Sequence, residues 1–175
     1  MYLVSIYFDE KADARIRSYI KQVAKHTGNG YMVEDEVPPH ITISAFETRH
    51  EEAVIRRLQE VFPTLAQGTV QWASVGTFFP SVIFLAPVVN QYLHGLSETI
   101  YESISGMEDV SVSKCYRPFQ WMPHTTIGKK LSKEEMQQAF AVLQNSFSMF
   151  QGKAVRIGLA KTNPYCDLIS WEWKE

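Results

Sequence analysis

The stretches Pro39-His40-Ile41-Thr42-Ile43 and Pro123-His124-Thr125-Thr126-Ile127 repeat one pattern at two places in a chain of 175 residues. Each has a proline before the histidine and an isoleucine after the threonine, and each lies ahead of a helix-like stretch. On a β-strand, residues i and i+2 project from one face, so each copy presents an imidazole beside a hydroxyl. The proline restricts its predecessor to extended backbone, which suits a strand start at each histidine. A lone strand histidine is more often a hydrogen-bonded structural residue than a catalyst. Two copies with the same flanks, in equivalent settings, point to a duplicated unit and a shared site.

Outward from these copies, the residues read as alternating strands and helices. Residues 2–8 form an apolar, aromatic-rich strand, and Asp9 opens a helix to about His26, stopped by Thr27-Gly28-Asn29-Gly30. A short strand or irregular segment leads to Pro38-Pro39, followed by the motif strand at 40–46 and a helix from about His50 to Phe62. Strands at 68–78 and 81–86 flank Phe79-Pro80-Ser81, and a helix runs from Asn90 to about Ile104. The second motif strand is expected at 122–129, and Ser132-x-x-Glu135 is a capping box that opens a helix to about Phe147. Strands at 150–160 and 166–173 follow, separated by Asn163-Pro164. Each half thus reads as a strand and helix, a motif strand, then a helix, a repeat of about 80 residues, longer than solenoid periods. The repeat predicts an α+β unit duplicated about a pseudo-two-fold axis, with the motif strands side by side.

Composition narrows the function. Apolar residues make up 45% and charged residues 21%, the balance of a globular protein with its own core. The net charge of -2 supplies no general attraction for nucleic acid, so an anion must be held by local donors. Cys115 and Cys166 have no metal-like spacing and read as reduced thiols. No segment reads as a signal peptide or membrane span, which gives the expectation of a cytoplasmic monomer with no membrane partner.

Two histidines, two threonines and no metal cluster fit phosphodiester chemistry. One imidazole can take the proton of the attacking oxygen while the other protonates the departing one. The threonine hydroxyls would donate to the non-bridging oxygens. The remaining histidines, His26, His50 and His94, have no companion at ligand spacing, so no metal or other cofactor is expected.

Paired His-x-Thr/Ser-hydrophobic motifs are the signature of the two-histidine (2H) phosphoesterases, which include bacterial 2'-5' RNA ligases and cyclic phosphodiesterases. The chain resembles that superfamily over nearly its whole length. Gly76-Thr77-Phe78-Phe79-Pro80 with Val82-Ile83-Phe84-Leu85-Ala86 is similar to its central hairpin, and Leu93-x-x-Leu96 to the helix that follows. The resemblance implies a single domain over 1–175 made of two lobes, with antiparallel sheets flanked by helices around a central groove. It implies His40 and His124 as the catalytic pair and Thr42 and Thr126 as phosphate ligands. Lys129, followed by Lys130, stands where relatives of the ligase branch often carry arginine. Aromatic side chains stack on the substrate base in other members; the candidates here are Trp121, Tyr116, Phe46, Phe79 and Phe119, with Arg117 or Lys114 adding charge. The expected activity is metal-independent hydrolysis of a 2',3'-cyclic phosphate on RNA ends or small nucleotides. The alternatives are 2'-5' RNA ligation and a non-catalytic binder of phosphorylated RNA ends or nucleotides.

Overall fold

In the computed structural model, which describes residues 1–34 and 37–174, a single curled antiparallel sheet is flanked by helices. Strand β1 (Tyr2–Phe8) leads into α1 (Glu10–Thr27), where the Asp9 carboxylate accepts from the Ala12 N–H and Gly28 closes the helix at φ 75°. The lead-in to the first motif contains a short helix, α2 (Tyr31–Glu34), where the sequence suggests a strand or irregular chain; residues 35 and 36 lie outside the described ones. Motif strand β2 (His40–Glu47) follows, then α3 (Glu51–Val61), β3 (Thr69–Phe78), β4 (Val82–Pro87) and α4 (Gln91–Ile104). A two-residue strand, β5 (Ser111–Val112), precedes the second motif strand β6 (Thr125–Gly128). Helix α5 (Lys133–Ser146) begins at the Ser132–Glu135 capping box, and β7 (Phe150–Lys161) and β8 (Cys166–Glu172) complete the chain.

The sheet runs β5-β2-β1-β7-β3-β4-β6, with β8 also paired to β7. The motif strands therefore differ from the side-by-side arrangement expected of the repeat, since four strands separate β2 from β6. Parts of β2 and β6 nevertheless come within 8 Å, Cα to Cα, because the sheet curls strongly enough to bring them near each other.

The hydrogen-bond register repeats. In one half-sheet Thr42 pairs with Ser5, and Ser5 with Gly158; in the other Thr126 pairs with Phe84, and Phe84 with Gly76. Between the two halves β3 and β7 pair centrally, Val70 opposite Gly152. The register also skips once in each motif strand, at Ile43 and at Ile127. The isoleucine after each motif threonine is thus the extra residue of a β-bulge, and both are fully buried.

The helices interlock the copies. Helix α1 follows β1 yet packs on β6 and pairs with α5, while α4 follows β4 yet packs on β2 and pairs with α3. Each motif strand is therefore backed by a helix from the other copy. Val4, Ile6, Ile41 and Ile43 project from their half-sheet into a core that includes Ile16, Leu58, Leu93 and Ile100. The opposite face is left for the groove.

Candidate functional site

His40, His124 and Thr126 all line one groove of about 440 Å³, with Ile20 of α1 and Tyr31 and Met32 of α2 also on its wall. Odd-numbered residues of β1 (Leu3, Ser5 and Tyr7) line it too, while even-numbered Val4, Ile6 and Phe8 enter the core. That alternation follows from the strand period of two.

Both imidazoles are held the same way. His40 Nδ1 lies 2.8 Å from the Pro38 carbonyl oxygen, and His124 Nδ1 lies 2.9 Å from that of Met122. A carbonyl only accepts, so each Nδ1 carries the proton and each neutral ring keeps its lone pair on Nε2. The residue two before each histidine fixes both tautomer and ring orientation.

The electrostatics of the pair are unequal. Burial pushes the His40 pKa below the usual imidazole range, against the Pro38 hydrogen bond, and the nearby His124 and Lys129 charges lower it further. Burial also lowers His124, opposed by its bond to Met122. Their neighbours differ as well. His124 meets the Phe78 ring edge-on at 4.8 Å between centroids, with Phe84 at 5.4 Å. A Cβ at Gly76 would meet the Phe84 ring at 2.5 Å, so glycine there gives that ring its place. His40 instead has Tyr7 at 6.1 Å between ring centroids.

The threonines also divide. Thr126 lines the groove, whereas the Thr42 hydroxyl lies 3.3 Å from that of Ser5 on the same face of the sheet, and both of these residues are buried, 6% and 3% exposed. Ser5, directly opposite Thr42 on β1, stands at the groove wall. Trp121 and Tyr116 both adjoin Thr42. Trp121 Nε1–H donates to the Thr42 carbonyl at 3.0 Å. Burial raises the Tyr116 pKa, and the neighbouring Thr42 hydroxyl pulls it back.

Of the other candidates, only Lys129 lies on the groove wall, 5.8 Å from the Tyr31 ring centroid. Trp121 and Tyr116 pack partly against the core. Phe46 is a correction with a clear cause. By parity it should share a face with His40 and Thr42, but the bulge at Ile43 flips the strand after Thr42. Phe46 consequently stacks on Tyr2 at 5.5 Å, only 1% exposed, out of reach of a substrate. Phe79 projects into solvent at the β3–β4 turn, 82% exposed, and its neighbour Phe78 takes the groove position. Arg117 is exposed away from the groove wall, as are Lys114 and Phe119. The sequence reading missed Ser5, Tyr7, Tyr31, Phe78 and Tyr165 as wall residues. The alternation in β1 carried a signal for Ser5 and Tyr7; the other three lie at turns, a strand end or a short helix, where no pattern marks a face.

A family model described as the 2'-5' RNA ligase superfamily matches residues 9–164. A provisionally named phosphoesterase of Bacillus licheniformis is 28% identical over 114 residues, which span 62% of this chain and 62% of the relative. The match thus covers less than two thirds of that relative's length. A solved phosphoesterase superposes with a TM-score of 0.60 at 14% identity, covering 99% of this chain and 98% of its own. Escherichia coli LigT in complex with 3'-AMP gives 0.59 at 12% identity, over 99% and 98%. At those identities the structural likeness is one of fold: an α+β chain with an antiparallel sheet flanked by helices.

Proposed function

The chain belongs to the 2'-5' RNA ligase superfamily, and from that premise we propose that it is a metal-independent phosphodiesterase that opens a 2',3'-cyclic phosphate on an RNA end or small nucleotide. The observation that carries this reading is the matched pair of imidazoles. His40 and His124 line one groove, and each is tied at Nδ1 to the carbonyl two residues before it, which leaves Nε2 for proton transfer.

In the proposed reaction one neutral histidine takes a proton from the attacking water, and the protonated partner gives one to the departing sugar oxygen. The water oxygen forms the new P–O bond as the P–O bond to the leaving oxygen breaks, and a phosphate monoester results. The repulsion His40 feels from both His124 and Lys129 favours His40 as the base and His124 as the acid. Thr126 and Ser5 donate to the non-bridging oxygens, with Thr42 orienting Ser5. Lys129 is the one lysine or arginine on the groove wall among the described residues, which suits a single phosphate better than a run of them.

The test is turnover of 2',3'-cyclic nucleotides in EDTA by the wild type, His40→Ala and His124→Ala. A fall of at least two orders of magnitude in each variant is expected. Wild-type rates in both variants would remove the paired acid–base mechanism.

A further inference from the structure

The groove wall beside His40 carries a hydrogen-bond chain whose direction is fixed from its far end. Tyr165 O–H donates to Asp167 Oδ1 at 2.8 Å, and the Tyr165 and Tyr7 hydroxyls lie 3.2 Å apart. A phenol has one proton, and a carboxylate only accepts. Because the Tyr165 proton points to Asp167, its oxygen must accept from Tyr7. The Tyr7 proton is therefore directed along the wall toward Tyr165, and its oxygen keeps only acceptor capacity for a groove ligand. Burial, with Tyr7 and Asp167 alongside, holds the Tyr165 pKa far above the usual phenol range, so that proton stays in place.

The ring of Tyr7 is also clamped. The Arg156 guanidinium carbon lies 3.7 Å from its centroid, and Arg156 is the register partner of Tyr7 on β7. Tyr7 is in turn the register partner of His40 on β2, so its oxygen belongs to the region next to the reacting phosphate. Among the described residues the other half-sheet holds no such chain. By the repeated register the counterpart of Ser5 is Phe84, which places Ala86 where Tyr7 stands. The duplicated groove is thus polar beside His40 and aromatic, through Phe78 and Phe84, beside His124.

We infer that Tyr7, held as an acceptor by Tyr165 and Asp167, is a specificity determinant that reads a free hydroxyl on the sugar or polyol carrying the phosphate. A non-bridging phosphate oxygen at this point would meet lone pairs, whereas a hydroxyl supplies the missing proton. A buried acceptor also disfavours an analogue that lacks the donor, because its own hydrogen bond is then lost. This inference rests on the phosphodiester reading of the groove above.

The test is equilibrium binding by titration calorimetry, using His40→Ala/His124→Ala protein so that no turnover intrudes. Two matched pairs serve as probes: 2',3'-cyclic AMP with its 5'-deoxy analogue, and adenosine 3'-monophosphate with its 2'-deoxy counterpart. In at least one pair the hydroxylated member should bind about tenfold more tightly, the size of one buried hydrogen bond. Tyr7→Phe added to this background should erase the preference by weakening the hydroxylated member alone. Tyr165→Phe, at an exposed position, frees the Tyr7 proton to turn into the groove and should shrink the same ratio. Equal binding within both pairs, no binding of any probe, or a preference that survives Tyr7→Phe would overturn the inference. Turnover of 2',3'-cyclic AMP by the wild type is scored separately. Hydroxyl preference without turnover would sink the hydrolase reading and leave this one standing.

Discussion

The Thr42 hydroxyl faces the Ser5 hydroxyl at 3.3 Å across β1 and β2, while Thr126, its counterpart in the second motif, lines the groove opposite Phe84 of β4. The two hydroxyl positions therefore differ in their surroundings. On the His40 side the residue at the wall comes from the neighbouring strand, and the motif threonine supports it. Ser5→Ala should lower turnover of a cyclic phosphodiester by about tenfold, with Thr42→Val close behind and the Ser5→Ala/Thr42→Val double variant scarcely worse than the worse single one. Thr126→Val should act independently of both. Measured kcat/KM for the three singles and their three pairwise doubles decides it, and additive Ser5 and Thr42 effects would count against the relay.

Phe46 and Phe78 make an opposed pair of predictions. Phe46, 1% exposed and stacked on Tyr2, is a core side chain, so Phe46→Ala should cost about 3–5 kcal/mol of stability. Phe78 is 37% exposed at the groove with His124 against its ring, so Phe78→Ala should leave the melting temperature nearly unchanged and raise KM. Denaturant unfolding and steady-state kinetics on the two proteins separate these outcomes. A Phe46→Ala protein of normal stability and raised KM would restore Phe46 as a base-stacking residue.

These contrasts show what the sequence made legible. Pro39-His40-Ile41-Thr42-Ile43 and its partner identify two strands, their facing side chains and the repeat, because the period of two is local. Capping signals at Asp9 and at Ser132–Glu135 are local too, and both helices begin where those residues indicate. The bulges at Ile43 and Ile127 are not local, since a bulge is defined by the partner strand. That is why Phe46, a stacking candidate on the resemblance, faces the core rather than the groove. The interlocked helices and the contribution of Tyr165 from the β7–β8 turn likewise depend on contacts distant in sequence, which composition and spacing do not encode.

Asp9 joins two of these levels. One of its carboxylate oxygens caps α1 through the Ala12 N–H, and the other accepts from the Lys153 N–H of β7. Asp9→Ala removes both acceptors at once. The helix cap alone is worth about 1 kcal/mol, and the unpaired strand N–H adds to the loss. Asp9→Asn keeps one acceptor oxygen and should recover part of the stability. Urea unfolding of the two variants measures the difference, and an Asp9→Asn protein as stable as the wild type would show that the second carboxylate oxygen contributes nothing.

The lowered pKa values of His40 and His124 predict a pH dependence of stability and, on the proposed mechanism, of rate. In the unfolded chain each histidine titrates near the ordinary value of about 6.5. In the folded protein burial favours the neutral ring, so the folded pKa lies below that value. Between the two pKa values the unfolded state binds more protons than the native state, so stability rises with pH there. The contribution is fully present above the unfolded pKa and is lost as pH falls toward the folded one. Melting temperatures of the wild type should therefore drop more steeply below pH 6.5 than those of a His40→Phe/His124→Phe protein. The rate has a further signature. Acid–base catalysis needs one ring protonated and the other neutral, so kcat/KM should pass through a maximum on the acid side of the usual histidine value. Lys129→Met removes one of the charges that lower His40 and should move the limb governed by His40 toward higher pH, leaving the His124 limb in place. A profile that does not move in Lys129→Met, or one with both limbs shifted together, would reject the assignment of His40 as the base.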